Sequence, residues 1–284
     1  MIVLRELAQA KINLYLHVTG KRADNYHLLD SLVVFADAGD KLEVIPADTL
    51  TLSIKGPYAT HVPEGDNSVL KAADALGRHC GVKTGAAMTL HKHLPTGAGM
   101  GGGSADAAAA LRLLSRFWKV KPTPQELHKL ALSLGADVPA CLRGGALYVS
   151  GIGEALEAGP ALAGLHIVLA SPGKPLLTRD AFAAHKGAFS SPPRHPHAFA
   201  SKDALIQFLQ KTKNDLQPTA IKLMPEIGTV LAALGEEEEC LLARMTGSGS
   251  ACFGCFADQL SAQNAAQQLS ERHPTWWVKA TTVQ

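Results

Sequence analysis

The feature that most limits what this chain can build is the stretch Pro95-Thr96-Gly97-Ala98-Gly99-Met100-Gly101-Gly102-Gly103-Ser104. Five of the seven residues from Gly97 to Gly103 are glycine, so the backbone can turn tightly and bring its own N–H groups close to an anion. The flanks give that turn a purpose. Ala86 to Leu94 reads as a strand entering the turn at Pro95, and an alanine-rich helix runs from Ser104 to about Trp118. Ser104 is the expected N-cap and Asp106 falls in the first turn, both suited to exposed amides and to the positive end of the helix dipole. Strand, glycine turn and helix start together point to a bound phosphate; a merely flexible connection would need neither flank.

Which phosphate the turn takes is narrowed by what is missing. Gly97, Gly99 and Gly102 also satisfy G-x-G-x-x-G, so a nicotinamide or flavin enzyme is a rival reading. That class expects an acidic residue ending a second strand about 20 residues later. Here the region carries Lys119-Val120-Lys121-Pro122 and then Thr123-Pro124-Gln125-Glu126, a capping box with proline at the first helical position, which starts a helix reaching Gly135. There is no G-x-x-x-x-G-K-[ST], and no H-R-D or D-F-G pairing of the protein-kinase class. A nucleotide-binding module without catalysis is a further rival, separable by ATP binding without turnover.

Charge and cysteine usage exclude other classes. Lys plus Arg number 27 against 25 Asp plus Glu, leaving +2, and the positive residues are scattered rather than grouped, which argues against a nucleic-acid groove. With 46% hydrophobic and 18% charged residues the chain is globular and long enough, at 284 residues, for two domains. Cys80, Cys141, Cys240, Cys252 and Cys255 form no staple framework and suit a reducing compartment. The opening Met-Ile-Val-Leu-Arg-Glu-Leu puts Arg5 and Glu6 where a secretory signal needs its apolar core, and no apolar run reaches the roughly 20 residues that span a bilayer. The expectation is a soluble, cytoplasmic protein.

Alternation of Ile12, Leu14, Leu16 and Val18 with Lys11, Asn13, Tyr15 and His17 predicts a strand from Ala10 to Val18, with Lys11 and Asn13 on one face. After a polar connection, Leu28 to Ala36 gives a second apolar run, hairpin-like and closed by Ala38-Gly39-Asp40; Lys41 to Ile45 begins the next strand. Asn67 to His79 has helical spacing. Strands are expected at Leu147 to Ser150, Leu165 to Ala170, Ala243 to Met245 and Ala251 to Phe256, and helices at Ala204 to Thr212, Ala220 to Leu234 and Ser261 to Arg272. Residues 186–202, rich in Ser, Pro, His and Ala, read as an exposed loop, and Glu236 to Glu239 as a solvated acidic turn. No internal repeat is present, and a domain boundary is placed near residue 160.

Other chemistry carriers have plain readings beside the functional ones. Asp137, in Gly135-Ala136-Asp137-Val138-Pro139, could simply cap a short helical segment, and Lys11 alone could be a solvated strand residue. Together with a glycine turn, an acid that takes a hydroxyl proton and a lysine that holds charge nearby are the parts phosphoryl transfer needs. Met245-Thr246-Gly247-Ser248-Gly249-Ser250-Ala251 is a second glycine-serine loop, or a hairpin turn. Cys252-Phe253-Gly254-Cys255 lacks a second pair, and His91 with His93 lack further ligands, so no zinc site is read. Tyr26 and His27 could stack on and hydrogen-bond a flat base, or be a packed tyrosine and a surface histidine.

The set Ala10-Lys11-Ile12-Asn13-Leu14, Leu94 to Ala108 and Thr246-Gly247-Ser248-Gly249-Ser250-Ala251 resembles, in order and spacing, the three motifs of the GHMP kinases, over nearly the whole chain. Thr19-Gly20-Lys21-Arg22-Ala23-Asp24-Asn25-Tyr26-His27 and Gly135 to Pro139 are similar to the branch that phosphorylates, with ATP, the 2-hydroxyl of a cytidine-diphosphate-linked methylerythritol in non-mevalonate isoprenoid synthesis. The resemblance implies an α+β fold of two domains: residues 1–160, like ribosomal protein S5 and ATP-binding, and residues 161–284, ferredoxin-like. It implies Asp137 as general base, Lys11 as the cation steadying it, Asn13 as a substrate contact, Tyr26 stacking on the cytosine, His27 reading its edge and Phe182 as a second stacking wall. Pro95, Thr96, Gly97, Ala98, Gly99, Met100, Gly101, Gly102, Gly103 and Ser104 would cradle ATP, with Mg2+ held mainly by the phosphates and no protein ligand assigned. Family loops more often follow the glycines with Ser-Ser or Ser-Asn; Ser104-Ala105 here removes a hydroxyl and spares the backbone cradle, and Ser250 stands where a small residue is expected. Nothing in the motifs assigns a partner beyond the small-molecule substrate, or an oligomeric state.

Overall fold

The computed structural model describes residues 3–62, 67–162 and 164–283. In chain order they form β1 (Leu4–Lys21), β2 (His27–Ala47), β3 (Leu50–Lys55), α1 (Ser68–Cys80), β4 (Gly85–His91), α2 (Gly102–Phe117), α3 (Pro124–Leu134), α4 (Val138–Arg143), β5 (Leu147–Gly151), β6 (Ala155–Ala158), β7 (His166–Ser171), α5 (Thr178–Ala184), α6 (Lys202–Gln210), α7 (Gln217–Leu223), α8 (Glu226–Glu236), β8 (Cys240–Met245), β9 (Cys252–Phe256), α9 (Gln259–Arg272) and β10 (Trp277–Thr282). Sheets and helices are mixed, as the expected α+β class requires.

The described residues fall into two compact units. The first takes those within Met1–Ala10, Gly39–Thr96 and Gly101–Arg143; the second takes Lys11–Ala38, Gly97–Met100 and Gly144–Gln284. β1 and β2 each contribute to both, so the units are not successive lengths of chain. Within the second unit both faces of β1 are covered: Lys11, Asn13, Tyr15 and His17 are buried along with Ile12, Leu14, Leu16 and Val18, so neither face is a solvent face.

In the first unit the C-terminal half of β2 pairs antiparallel with β4, Lys41 opposite His91, and β3 pairs parallel with β4. The hairpin closure expected at Ala38-Gly39-Asp40 does not occur. β2 runs straight through it, because Gly39 passes so close to Ala8 that a Cβ there would stand 2.8 Å from the Ala8 carbonyl carbon; the glycine marks a close approach of strands, not a turn. α1 is capped by Asn67, whose side chain accepts from the Val69 N–H, and packs against α2, which in turn packs against α4. α2 is buried over Ala105 to Leu111 and again at Leu113 and Leu114, its alanines allowing neighbours to approach closely. The Thr123–Glu126 capping box opens α3 as expected.

In the second unit the N-terminal half of β2 pairs with β5, and β5 with β6, a strand the sequence reading did not include. β7 to β10 form an antiparallel sheet in the order β10-β7-β9-β8. A strand, helices, two strands, a helix and a strand, ordered in space fourth-first-third-second, is the expected ferredoxin-like arrangement. β10 was missed for want of alternation. Its core gathers Val168, Ala170, Ile227, Val230, Phe256 and Leu269. The helix expected over Ala220 to Leu234 is two helices, α7 and α8, parted at Met224 and Pro225, since a proline bars the helical conformation of the residue before it. Nor is Glu236 to Glu239 wholly solvated: Glu237 is buried against the Arg272 guanidinium.

Candidate functional site

The glycine turn begins in the first unit, passes through the second at Gly97–Met100 and re-enters the first at Gly101. The helix after it starts two residues earlier than expected. Gly101, at φ 65°, is the N-cap of α2, no side chain caps it, and Ser104 lies inside the first turn. The first intrahelical bond at this end is from the Ala105 N–H to the Gly101 carbonyl, 2.8 Å. The Gly102, Gly103 and Ser104 amides precede it and have no intrahelical acceptor, which leaves them available to an anion at the positive end of a 16-residue helix.

Asp106 is also not the dipole-facing acid that its position suggested. Its carboxylate accepts from Lys92 Nζ at 2.8 Å, and Lys92 Nζ also donates to Asp40 Oδ2 at 2.5 Å, all three side chains being buried. Asp137, in the same unit, is half-buried in the turn before α4, its carbonyl accepting the Cys141 N–H at 3.1 Å; this is the turn into a helix that the sequence predicts.

The second unit brings the three motifs together. From β1, Lys11 donates its backbone N–H to the Met100 carbonyl at 3.0 Å, and Asn13 donates its own to Thr246 Oγ1 at 2.8 Å. Ala251 donates its N–H to the Ala98 carbonyl, 3.0 Å, and Leu176 donates to that of Gly97, 2.9 Å. A Cβ on Gly99 would stand 2.7 Å from the Gly249 oxygen and 2.9 Å from the Thr246 oxygen. The glycine-serine loop between β8 and β9 is therefore a hairpin connection and the backing of the first turn at once. Asn214 fixes it by donating Nδ2 to the Met245 and Gly247 carbonyls, each at 2.8 Å.

Asn13 is buried, its Nδ2 donating to Ser31 Oγ at 2.7 Å while its Oδ1 has no hydrogen-bond partner. An unsatisfied buried acceptor on a strand beside the turn suits a hydroxyl donor from a ligand. His27 and Phe182 also meet, their ring centroids 5.2 Å apart, with His185 at 6.2 Å from His27. Burial, then the nearby Lys21 and His185, lower the pKa of His27. Tyr26 is 61% exposed in the turn before β2.

Several residues carried no signal of these contacts in the sequence: Ser31 and Asn214 in the second unit and Lys92 in the first are single polar positions outside any motif, and Asp40 was read only as the end of a turn. The loop 186–202 is irregular and mostly exposed, as read, yet it is pinned. Ser190 donates its N–H to the Val18 carbonyl at 2.8 Å, His195 meets Asp30 at 2.9 Å and stacks on Tyr148 at 4.1 Å, and Tyr15 donates to the other Asp30 oxygen at 2.7 Å. The dinucleotide rival finds no support in the order of elements, since α2 is followed by α3 and α4 and not by a second strand. Among the described residues no cluster of three or more His, Cys, Asp or Glu could hold a metal ion, no cysteine is joined in a disulfide, and no helix is long and apolar enough to cross a membrane.

Residues 67–145 match the family of GHMP kinases N terminal domains, and residues 197–275 that of GHMP kinases C terminal domains. The chain is 51% identical over 273 residues, 95% of each partner, to 4-diphosphocytidyl-2-C-methyl-D-erythritol kinase of Paramagnetospirillum magneticum. It is 49% identical over 276 residues, 96% of each, to the protein of the same name from Cereibacter sphaeroides. A solved 4-(cytidine 5'-diphospho)-2C-methyl-D-erythritol kinase superposes with a TM-score of 0.82 at 30% identity, covering 99% of both chains.

Proposed function

This chain belongs to the GHMP kinases, and from that membership we propose that it transfers the γ-phosphoryl group of ATP to the 2-hydroxyl of 4-(cytidine 5'-diphospho)-2-C-methyl-D-erythritol, a step of non-mevalonate isoprenoid synthesis. The substrate is carried by one observation, that relatives about half identical over almost the whole chain bear it in their names; the meeting of the motifs around Lys11, Gly97 and Thr246 through the backbone bonds at Met100 and Ala98 supports the kinase chemistry.

In this reading the main-chain amides from Gly97 to Ser104 hold the phosphates, and the α2 N-terminus adds its partial positive charge. Pro95 and Thr96 lead the chain into that cradle. The Asp137 carboxylate accepts the proton of the 2-hydroxyl as its oxygen attacks the γ-phosphorus, and ADP leaves with the bridging oxygen's electron pair. Lys11 offsets the charge that builds on the transferring group. No histidine or cysteine is given the phosphoryl group, so transfer is direct. Mg2+ enters with ATP as part of the substrate, neutralising its phosphates, whose oxygens would be its main ligands. Asn13 accepts a polyol hydroxyl, while Tyr26 and Phe182 flank the cytosine and His27 reads its edge. Residues 1–160 form the ATP-binding domain and 161–284 the second domain, and cysteines outside any disulfide suit a cytoplasmic setting.

A coupled assay of ADP release over a panel of alcohols tests the reading. Turnover with the cytidyl-methylerythritol at least a hundredfold above mevalonate, homoserine or galactose is expected. Turnover of one of those alcohols, with none of the cytidyl compound, refutes it.

A further inference from the structure

Lys92, Asp40 and Asp106 lie in three separate elements of the first unit and outside every role assigned so far. Lys92 follows β4, Asp40 sits within β2 and Asp106 in the first turns of α2. The lysine ammonium is held between the two carboxyls, at 2.5 Å from Asp40 Oδ2 and 2.8 Å from Asp106 Oδ2, with each side chain at most 4% exposed. Asp40 uses its other oxygen on the chain itself: Oδ1 accepts the His93 N–H at 2.5 Å and the Leu94 N–H at 2.8 Å. Gly102 closes over the group, a Cβ there standing 3.1 Å from Lys92 Nζ and 3.9 Å from Asp40 Oδ2.

These contacts have one geometric consequence. Leu94 is the last residue before the glycine turn and Gly102 opens the helix after it, so both ends of the turn are fixed to a single buried charge cluster. A glycine-rich segment has little rigidity of its own, and its amides can serve a nucleotide only if the ends hold it in one shape. We infer that Lys92, Asp40 and Asp106 are positioning residues for ATP, anchoring the two ends of the glycine turn so that its amides stay preorganised for the phosphates. The inference rests on the kinase reading of the turn.

The cluster is poorly explained as a device for stability alone. Removing three charged groups from water costs more than isosteric apolar packing would, and Asp106 Oδ1 is buried without any hydrogen-bond partner. Burial pushes the Asp106 carboxyl up to about 7 against the opposing pull of Lys92. Burial alone would lower the Lys92 ammonium, but Asp106 and Asp40 together raise it.

The test compares the D40N, D106A and D106N variants in steady-state kinetics with ATP and acceptor varied separately, alongside calorimetric ATP binding and thermal melting. D40N and D106A should raise the KM and Kd for ATP tenfold or more and leave the KM for the acceptor within twofold. D106N keeps an oxygen for Lys92 and carries no charge, so its ATP constants should stay within threefold of wild type. A role in folding alone would move the melting temperature without this division between the two substrates. The inference is overturned if D106A and D40N bind ATP within threefold of wild type, or if both KM values rise together. Should D106A not fold, D40N decides, because it leaves a neutral Lys92–Asp106 pair. Wild-type protein that binds ATP but phosphorylates no alcohol would refute the kinase reading and leave the inference to be judged on Kd; wild-type protein that binds no ATP would overturn both.

Discussion

The imidazole of His27 lies over the ring of Phe182, with centroids 5.2 Å apart and planes inclined by 30°. Burial favours the neutral ring, which carries one donor and one acceptor and so can pair with the edge of a nucleobase. The Phe182 face now covered by His27 is the flat apolar surface a base needs, and Tyr26, exposed one residue before His27, is free of the core and can close from the other side.

Phe182→Ala should therefore raise the KM for the cytidyl substrate by about 5- to 160-fold, the range set by a base–aromatic stack of about 1–3 kcal/mol. The KM for ATP should stay within twofold. Because Phe182 is half-buried at the edge of its core, melting should be measured in parallel. A parallel rise in both KM values would show that the ring supports the fold and not the base.

Asp137→Asn keeps the shape of the side chain and removes its ability to take a proton. General-base catalysis is worth about 100- to 10,000-fold, so kcat should fall by at least 100-fold while the Kd for ATP stays within threefold. Single-turnover quench with labelled ATP separates the two. A variant retaining more than a tenth of wild-type kcat removes Asp137 from the base role.

How much of this was legible in the sequence depends on the kind of signal. The glycine turn, its strand and its helix could be read because Gly97 to Gly103 announces a backbone requirement, and the α3 capping box because its bonds are local. The start of α2 was misplaced because Ser104 is a good N-cap by propensity, whereas the turn ends at Gly101 with positive φ and leaves the amides uncapped. Gly39 was read as a turn for the same reason: glycine permits a bend and a close approach alike, and only the neighbouring Ala8 decides between them. Lys92, Asp40 and Asp106 were illegible as a group, since Asp40 and Lys92 stand 52 positions apart with no pattern linking them. Tertiary proximity of single charged residues leaves no mark on periodicity.

Asp106 also gives stability a pH dependence of definite sign. Its carboxyl is pushed up to about 7 in the folded chain, first by burial, with Lys92 opposing and Asp40 adding to the rise. A folded-state value above the unfolded one makes the folded chain bind more protons between about 4 and 7, so stability falls as pH rises through that window. Other groups titrate there too, and the difference between wild type and D106N isolates this one. Urea unfolding at pH 4.5 and pH 7.5 should show wild type losing stability relative to D106N at the higher pH. A difference independent of pH would assign the proton elsewhere.

The contact between the two glycine loops can be separated from glycine's backbone freedom by a matched pair of substitutions. Gly99 has φ 76° and Gly81 φ 67°, so alanine meets nearly the same backbone cost at each, about 1–2 kcal/mol. Space differs. At Gly81 nothing lies within 4 Å of the added methyl, whereas at Gly99 the Gly249 oxygen and nitrogen and the Thr246 oxygen stand at 2.7, 2.8 and 2.9 Å. All three are backbone atoms on a loop that Asn214 holds by two hydrogen bonds, so they cannot rotate away as a side chain would. Gly99→Ala should then be less stable than Gly81→Ala by about 1–3 kcal/mol, the cost of overpacking, and should lose ATP binding measurable by calorimetry, while Gly81→Ala keeps wild-type affinity. Equal stability in the two variants would mean that the loops part readily, and that the convergence of the three motifs does not set the shape of the turn.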